Sequence, residues 1–94
     1  MERYTVVWAA DVQNEFIDDW INGDSGRRQL LNDVANTIDR ELAIAPENHG
    51  EPLPSEPALR VWTITDFVAK VSVAFEVRPD NRIVRVLRIS IATS

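Results

Sequence analysis

Cysteine is absent from the chain, and histidine, tyrosine and lysine each occur once. Without cysteine there are no disulfides and no thiolate-ligated metals, which fits a cytoplasmic protein. A single histidine, His49, cannot form a His-pair metal site, and it would have to serve every purpose in a Ser-His-Asp set. In Asn48-His49-Gly50 it reads as a solvent-exposed loop residue. The glycines are too few and too scattered for a phosphate-cradling loop. No apolar run approaches the ~18 residues that a membrane-spanning helix needs. Met1-Glu2-Arg3-Tyr4 leads directly into a strand pattern, so no signal peptide is expected. Asp18-Asp19 is a carboxylate pair, but neighbours on a helix point apart, which favours a solvated face over a metal site. No metal, small-molecule cofactor or membrane contact is expected.

What is present is ordinary globular material, 45% apolar and 27% charged. Its 94 residues suit one domain over 1–94. A chain of this size buries roughly 60–65% of its unfolded surface, enough for one modest core. The net charge of −5 is unevenly spread. Residues 1–50 carry ten acidic and four basic side chains, whereas residues 58–94 carry three acidic (Asp66, Glu76, Asp80) and six basic ones. The six are Arg60, Lys70, Arg78, Arg82, Arg85 and Arg88. Arginine suits planar, bidentate contact with carboxylate or phosphate. The same charges would also serve as solvated strand-face groups that discourage edge-to-edge aggregation.

The order of parts is one strand, two amphipathic helices, then an unbroken β-meander. Tyr4 to Trp8 is β-branched and aromatic, hence a strand. From Ala10 to Asn22, Val12, Phe16 and Trp20 recur every four residues with Ile17 and Ile21 beside them, so the spacing predicts a helix. Gly23 is placed to close it in the left-handed conformation. Asp24 or Ser25 can cap a second helix whose core stripe is Leu30, Leu31, Val34, Ile38 and Leu42. Pro46 should stop it within a residue or two. With only Gly23 to Ser25 between them, the helices should form an antiparallel hairpin. Residues 47–57, with Pro52, Pro54, Pro57 and Gly50, read as a connector without periodicity.

The meander is expected over Leu59 to Ile64, Val68 to Val77 and Ile83 to Ile91. Pro79-Asp80-Asn81 is a strong turn, with Asn81 suited to the left-handed position. Val71, Val73, Phe75 and Val77 alternate with Ser72, Ala74, Glu76 and Arg78, so one face is buried and the other polar or small. In the last strand, strict alternation groups Val84 and Val86 with Arg88. It groups Ile83, Leu87, Ile89 and Ile91 with Arg85, leaving one arginine among apolar residues. The fold class is therefore α+β: a small antiparallel sheet of three or four strands with a helical hairpin on one face. The first strand is free to join beside the last, parallel or antiparallel. The face left open is the place to look for function. Trp62 shares a face with Arg60 and reads either as core or as an aromatic platform.

This β-α-α-β-β-β order resembles the RelE/ParE family of bacterial toxins, the toxin halves of type II toxin–antitoxin pairs and plasmid-stabilisation systems. Val6-Val7-Trp8 followed by Val12 and Phe16 is similar to the family's opening strand and first helix. Ile38 to Leu42, then Pro46, Gly50 and Leu53, resembles its second helix and the loop beyond. Ala74-Phe75-Glu76-Val77, the Asp80-Asn81 turn and Ile83 to Ile89 resemble its closing hairpin. The likeness covers residues 4–91 and lies in order and spacing rather than in one motif.

The resemblance implies a toxin held by a cognate antitoxin protein, with DNA gyrase or the ribosome as target. The family's messenger-RNA endonucleases carry an arginine in the strand after the long loop, and Arg60 stands there as the candidate catalytic residue. They carry a second arginine in the middle strand, where this chain has Ser72. They carry a His-Arg pair and a tyrosine after the last strand, where Ile89-Ser90-Ile91-Ala92-Thr93-Ser94 has none. RNA cleavage needs a base, an acid and cations for the phosphorane, and Arg60 alone cannot fill those roles. Whether the chain is an enzyme is therefore left open, and a non-catalytic binding or regulatory module on the same fold is the alternative. Family antitoxins add a strand and a helix to their toxins, which makes Trp62, Arg60, Arg78, Arg82, Arg85 and Arg88 the expected partner contacts.

Overall fold

A computed structural model describes residues 3–65 and 67–92. Met1, Glu2, Asp66, Thr93 and Ser94, with the readings made for them above, lie outside the described residues. The chain runs β1 (Thr5–Trp8), α1 (Ala10–Asn22), α2 (Ser25–Leu42), a 3-10 turn at Pro46–Asn48, β2 (Glu51–Pro52), β3 (Leu59–Ile64), β4 (Lys70–Arg78) and β5 (Ile83–Ala92). The strands form one five-stranded sheet in the order β1-β5-β4-β3-β2. β1 lies parallel to β5, and every other pairing is antiparallel. The sheet is thus mixed, and larger than expected by the two-residue β2, which forms within the connector. Pro52 has no N–H to donate, which suits the outermost strand.

Alternation in β4 does what the sequence requires. Val71, Val73, Phe75 and Val77 are buried, together with Val84 and Val86 of β5 and Ile64 of β3. Val34, Ile38 and Leu42 of α2 pack on this face. Leu31 is also fully buried, while Leu30 only packs against the periphery. The helices cover one face and leave the other open. α1 uses its stripe only in part: Val12 is its single buried residue, and Phe16 meets Trp8 edge-on at 5.0 Å. Ile17, Trp20 and Ile21 remain exposed.

Several boundaries differ from expectation, each for a local reason. Gly23 is extended (φ −84, ψ 156), not left-handed. Its value is space, because a Cβ there would lie 2.8 Å from the Arg27 stem. Asp24 is the α2 cap and accepts from the Arg27 N–H at 2.8 Å. α2 ends ahead of Pro46, because the residues leading into β1 claim its last turn: the Tyr4 N–H donates to the Ala43 carbonyl at 2.8 Å and Arg3 bridges Ile44. Pro46 instead opens the 3-10 turn. β4 begins at Lys70, with Val68 exposed and Ala69 buried. The hairpin's left-handed residue is Arg82 (φ 53) rather than Asn81. The Arg82 carbonyl accepts the Thr5 N–H at 2.8 Å, so β1 fixes that backbone.

Candidate functional site

Cross-strand partners share a face, so the registers assign every strand residue. Arg60 pairs with Phe75 and Trp62 with Val73, which puts both on the helix-covered face. The Arg60 guanidinium is committed there. Its Nε and one terminal nitrogen donate to the carbonyls of His49 and Gly50, each at 2.9 Å. His49 lies against the Trp62 ring with centroids 4.5 Å apart, half-buried rather than free in solvent. Gly50 is left-handed (φ +71), and a Cβ there would lie 2.4 Å from the Val61 carbonyl oxygen. Arg60 thus clamps a connector that crosses close over β3, and Trp62 is part of that clamp.

The open face belongs to other residues. A register shift at Ala74/Phe75 leaves Leu87 without a partner, because Ala74 pairs with Arg88 and Phe75 with Val86. Such a bulge reverses the alternation beyond it. Val84 and Val86 face the core before it, and Ile89 and Ile91 face it afterwards, opposite Val73 and Val71. Strict alternation had put Arg88 with Val84 and Val86, and Arg85 with Ile89 and Ile91. The bulge overturns both groupings and sends both arginines to the open face. A bulge has no composition signal in this strand, where apolar residues occupy both parities.

Lys70, Arg78, Arg85 and Arg88 therefore stand on the open face with Ser72, Ala74, Glu76, Val61 and Val7. Glu76 is opposite Arg85 but pairs with Arg78, whose Nε lies 2.7 Å from its carboxylate. The Arg85 and Arg88 side chains are exposed and make no hydrogen bond or ion pair among the described residues. Arg82 stands at the hairpin rim. No aromatic side chain lies on this face among the described residues: Trp8, Trp62 and Phe75 are on the covered face, and the rest lie outside the strands.

Chemically, the open face offers the unpaired guanidinium forks of Arg85 and Arg88 among small side chains such as Ser72 and Ala74 and the apolar Val61 and Val7. It can bind carboxylate or phosphate. Its one described β4 carboxylate is tied to Arg78. No cluster of His, Asp or Glu able to hold a metal occurs among the described residues.

The helical half is the electrostatic opposite. Arg27 is held bidentate by Asp19 at 2.6 and 2.9 Å. That hydrogen-bonded partner holds the Asp19 carboxyl below its ordinary value, against the upward push of partial burial, and raises Arg27. Arg28 stacks 4.4 Å over Trp20 and donates to the Trp20 and Ile21 carbonyls at 2.8 and 3.0 Å.

Solved structures share the fold. A chain of the toxin–antitoxin complex RelBE2 from Mycobacterium tuberculosis aligns with 100% of this chain and 97% of its own, at a TM-score of 0.73 and 17% identity. A chain of the chromosomal ParDE TA system from P. aeruginosa aligns over 98% of each, at a TM-score of 0.64 and 16% identity. No protein-family model matches the sequence, and no curated protein matches it. The likeness establishes the fold: the chain has the β-α-α-β-β-β fold of these RelE/ParE systems.

Proposed function

We propose that this chain is a toxin-like component of a bacterial toxin–antitoxin pair, held in the cytoplasm by a cognate antitoxin protein. The observation that carries the reading is the end-to-end match in fold to a chain of a toxin–antitoxin complex, at a TM-score of 0.73. It is an argument from fold, and the open face gives it a site. The antitoxin contacts are Arg85 and Arg88, with Arg78 and Arg82 at the margin. Trp62 and Arg60 act at one remove, by holding the connector.

Ribonuclease chemistry is not part of the proposal. Arg60 already donates to the His49 and Gly50 carbonyls, and Ser72 occupies the middle strand where the nucleases have a cation. Those same two facts favour the second reading, a binding or regulatory module that kept the fold. Of the two targets implied by resemblance, DNA gyrase asks less of these residues than the ribosome, because it requires no RNA-cleaving set.

Tightly controlled induction of the chain alone tests the proposal. It predicts growth arrest that is relieved by co-expressing the protein encoded beside it. Normal growth with soluble, folded protein would overturn it in favour of the binding module.

A further inference from the structure

Charge divides this molecule between its two outer surfaces. α1 carries Asp11, Glu15, Asp18 and Asp19 and no basic residue. The open sheet face carries Lys70, Arg78, Arg85 and Arg88 against the one described strand carboxylate, Glu76. Val12, Phe16 and Asp19 mark the side of α1 that is turned towards the sheet and α2. The opposite stripe is Asn14, Ile17, Asp18 and Ile21, with Asp11 beside Asp18. All five are exposed, and the Asp11 and Asp18 carboxylates make no hydrogen bond or ion pair among the described residues. The stripe points away from the sheet, on the side of the molecule opposite the open face.

The two surfaces match in more than the sign of their charge. Asp11 and Asp18 stand two helical turns apart, about 10 Å. Arg85 and Arg88, on either side of the bulge, are also about 10 Å apart at the rise of a strand. Four of the six exposed large hydrophobics among the described residues are divided evenly between them: Ile17 and Ile21 on the stripe, Val7 and Val61 on the open face. Val7 is the cross-strand partner of Arg85, and Val61 shares a row with Ala74 and Arg88. We infer that the outer stripe of α1 docks on the open face of a second copy of this chain, with Asp11 and Asp18 against Arg85 and Arg88 and the two isoleucines beside them on the exposed valines. Opposite charges set the register of such a contact and speed its formation. Because the two surfaces lie on opposite sides of the molecule, two copies cannot satisfy both contacts reciprocally, so the association is head-to-tail and open-ended. Where the open face holds an antitoxin, a consequence that rests on the function proposed above, a docked copy and the antitoxin exclude each other.

The test is sedimentation velocity of the whole chain at low salt over a range of concentrations. The inference predicts an average mass that rises with concentration past that of a dimer. The mass should return to the monomer in about 1 M salt, where the Debye length is only about 3 Å. Two variants damage one surface each: Asp18→Asn with Ile21→Gln on α1, and Arg85→Glu with Arg88→Glu on the open face. All four positions are exposed, so both chains should fold, as circular dichroism would verify. Each variant alone should self-associate about tenfold more weakly or worse. Mixed in equal amounts, they should form a one-to-one complex that grows no further, because one intact stripe meets one intact open face. A wild-type chain that stays monomeric, a dimer that does not grow, or self-association unchanged by either variant would overturn the inference. So would a mixture that associates no better than its components, which would mean a symmetric contact. Sedimentation does not depend on toxicity, so its failure and the failure of the growth assay are distinguishable.

Discussion

Arg60 and Arg85 lie on strands that flank β4 in one sheet, yet their guanidiniums meet opposite fates. Arg60, on the covered face, is bound to two loop carbonyls and holds the connector over Trp62. Arg85, on the open face, has Glu76 across from it but loses that carboxylate to Arg78. The covered face gathers the strand aromatics and the buried valines, while the open face gathers cations among small side chains and the exposed Val7 and Val61. A half-buried fork donor with two partners adds stability and has fewer donors left to offer a ligand. An exposed one without partners adds almost no stability and is free to recognise an anion. The lesson is that an arginine's position in a motif says less than which side of the sheet it faces.

The comparison breaks first at the core. Phe75→Ala should cost about 3–5 kcal/mol, because Phe75 is fully buried at the centre of β4. Denaturant titration would show this as an unfolded or barely folded chain. Arg60→Ala should cost about 1–3 kcal/mol by leaving two half-buried carbonyls without donors. Arg60→Lys should recover less than half of that loss, since one ammonium lacks the fork that spans both oxygens. If Arg60→Ala left stability unchanged, the clamp would be wrong.

Smaller effects sharpen the picture on the acidic half. The Asp19 carboxyl is held below its ordinary value by Arg27, so the unfolded chain binds protons more readily there. Its contribution is present above the ordinary carboxylate range and is lost as pH falls through the lowered folded value. Asp19→Asn should cost under about 1 kcal/mol at neutral pH, because the pair is partly solvated. The difference from the parent should shrink as pH falls into the acid range, as followed by thermal melts. Smallest of all in stability terms is the double change Arg85→Glu and Arg88→Glu, expected within about 0.5 kcal/mol. A larger loss would mean that these arginines hold the fold.

Much of the fold was legible in the sequence. The helical spacing of Leu31, Val34, Ile38 and Leu42 and the alternation of Val71, Val73, Phe75 and Val77 are local patterns, and each settles its own element. What escaped was set by contacts distant in sequence. The residue before β1, Tyr4, determines where α2 ends, through Ala43, and β1 determines where the hairpin turns left-handed, through Arg82. The short β2 exists only because β3 is there to pair with it. The candidate site was half legible: arginine enrichment in the last strands pointed to Arg85 and Arg88. Their shared face depends on the Leu87 bulge, which leaves no trace in composition. Arg60 could not be recognised as a clamp from sequence, since its acceptors are backbone carbonyls of the connector.

The most direct test of the account is bacterial growth after induction of the wild-type chain, set beside the Arg85→Glu, Arg88→Glu double variant at equal soluble yield. The account predicts that co-expressing the protein encoded beside the chain relieves arrest by the wild type and fails to relieve arrest by the folded double variant, because the antitoxin contacts are proposed for the open cationic face. Equal relief of both chains, or arrest by neither, would contradict it.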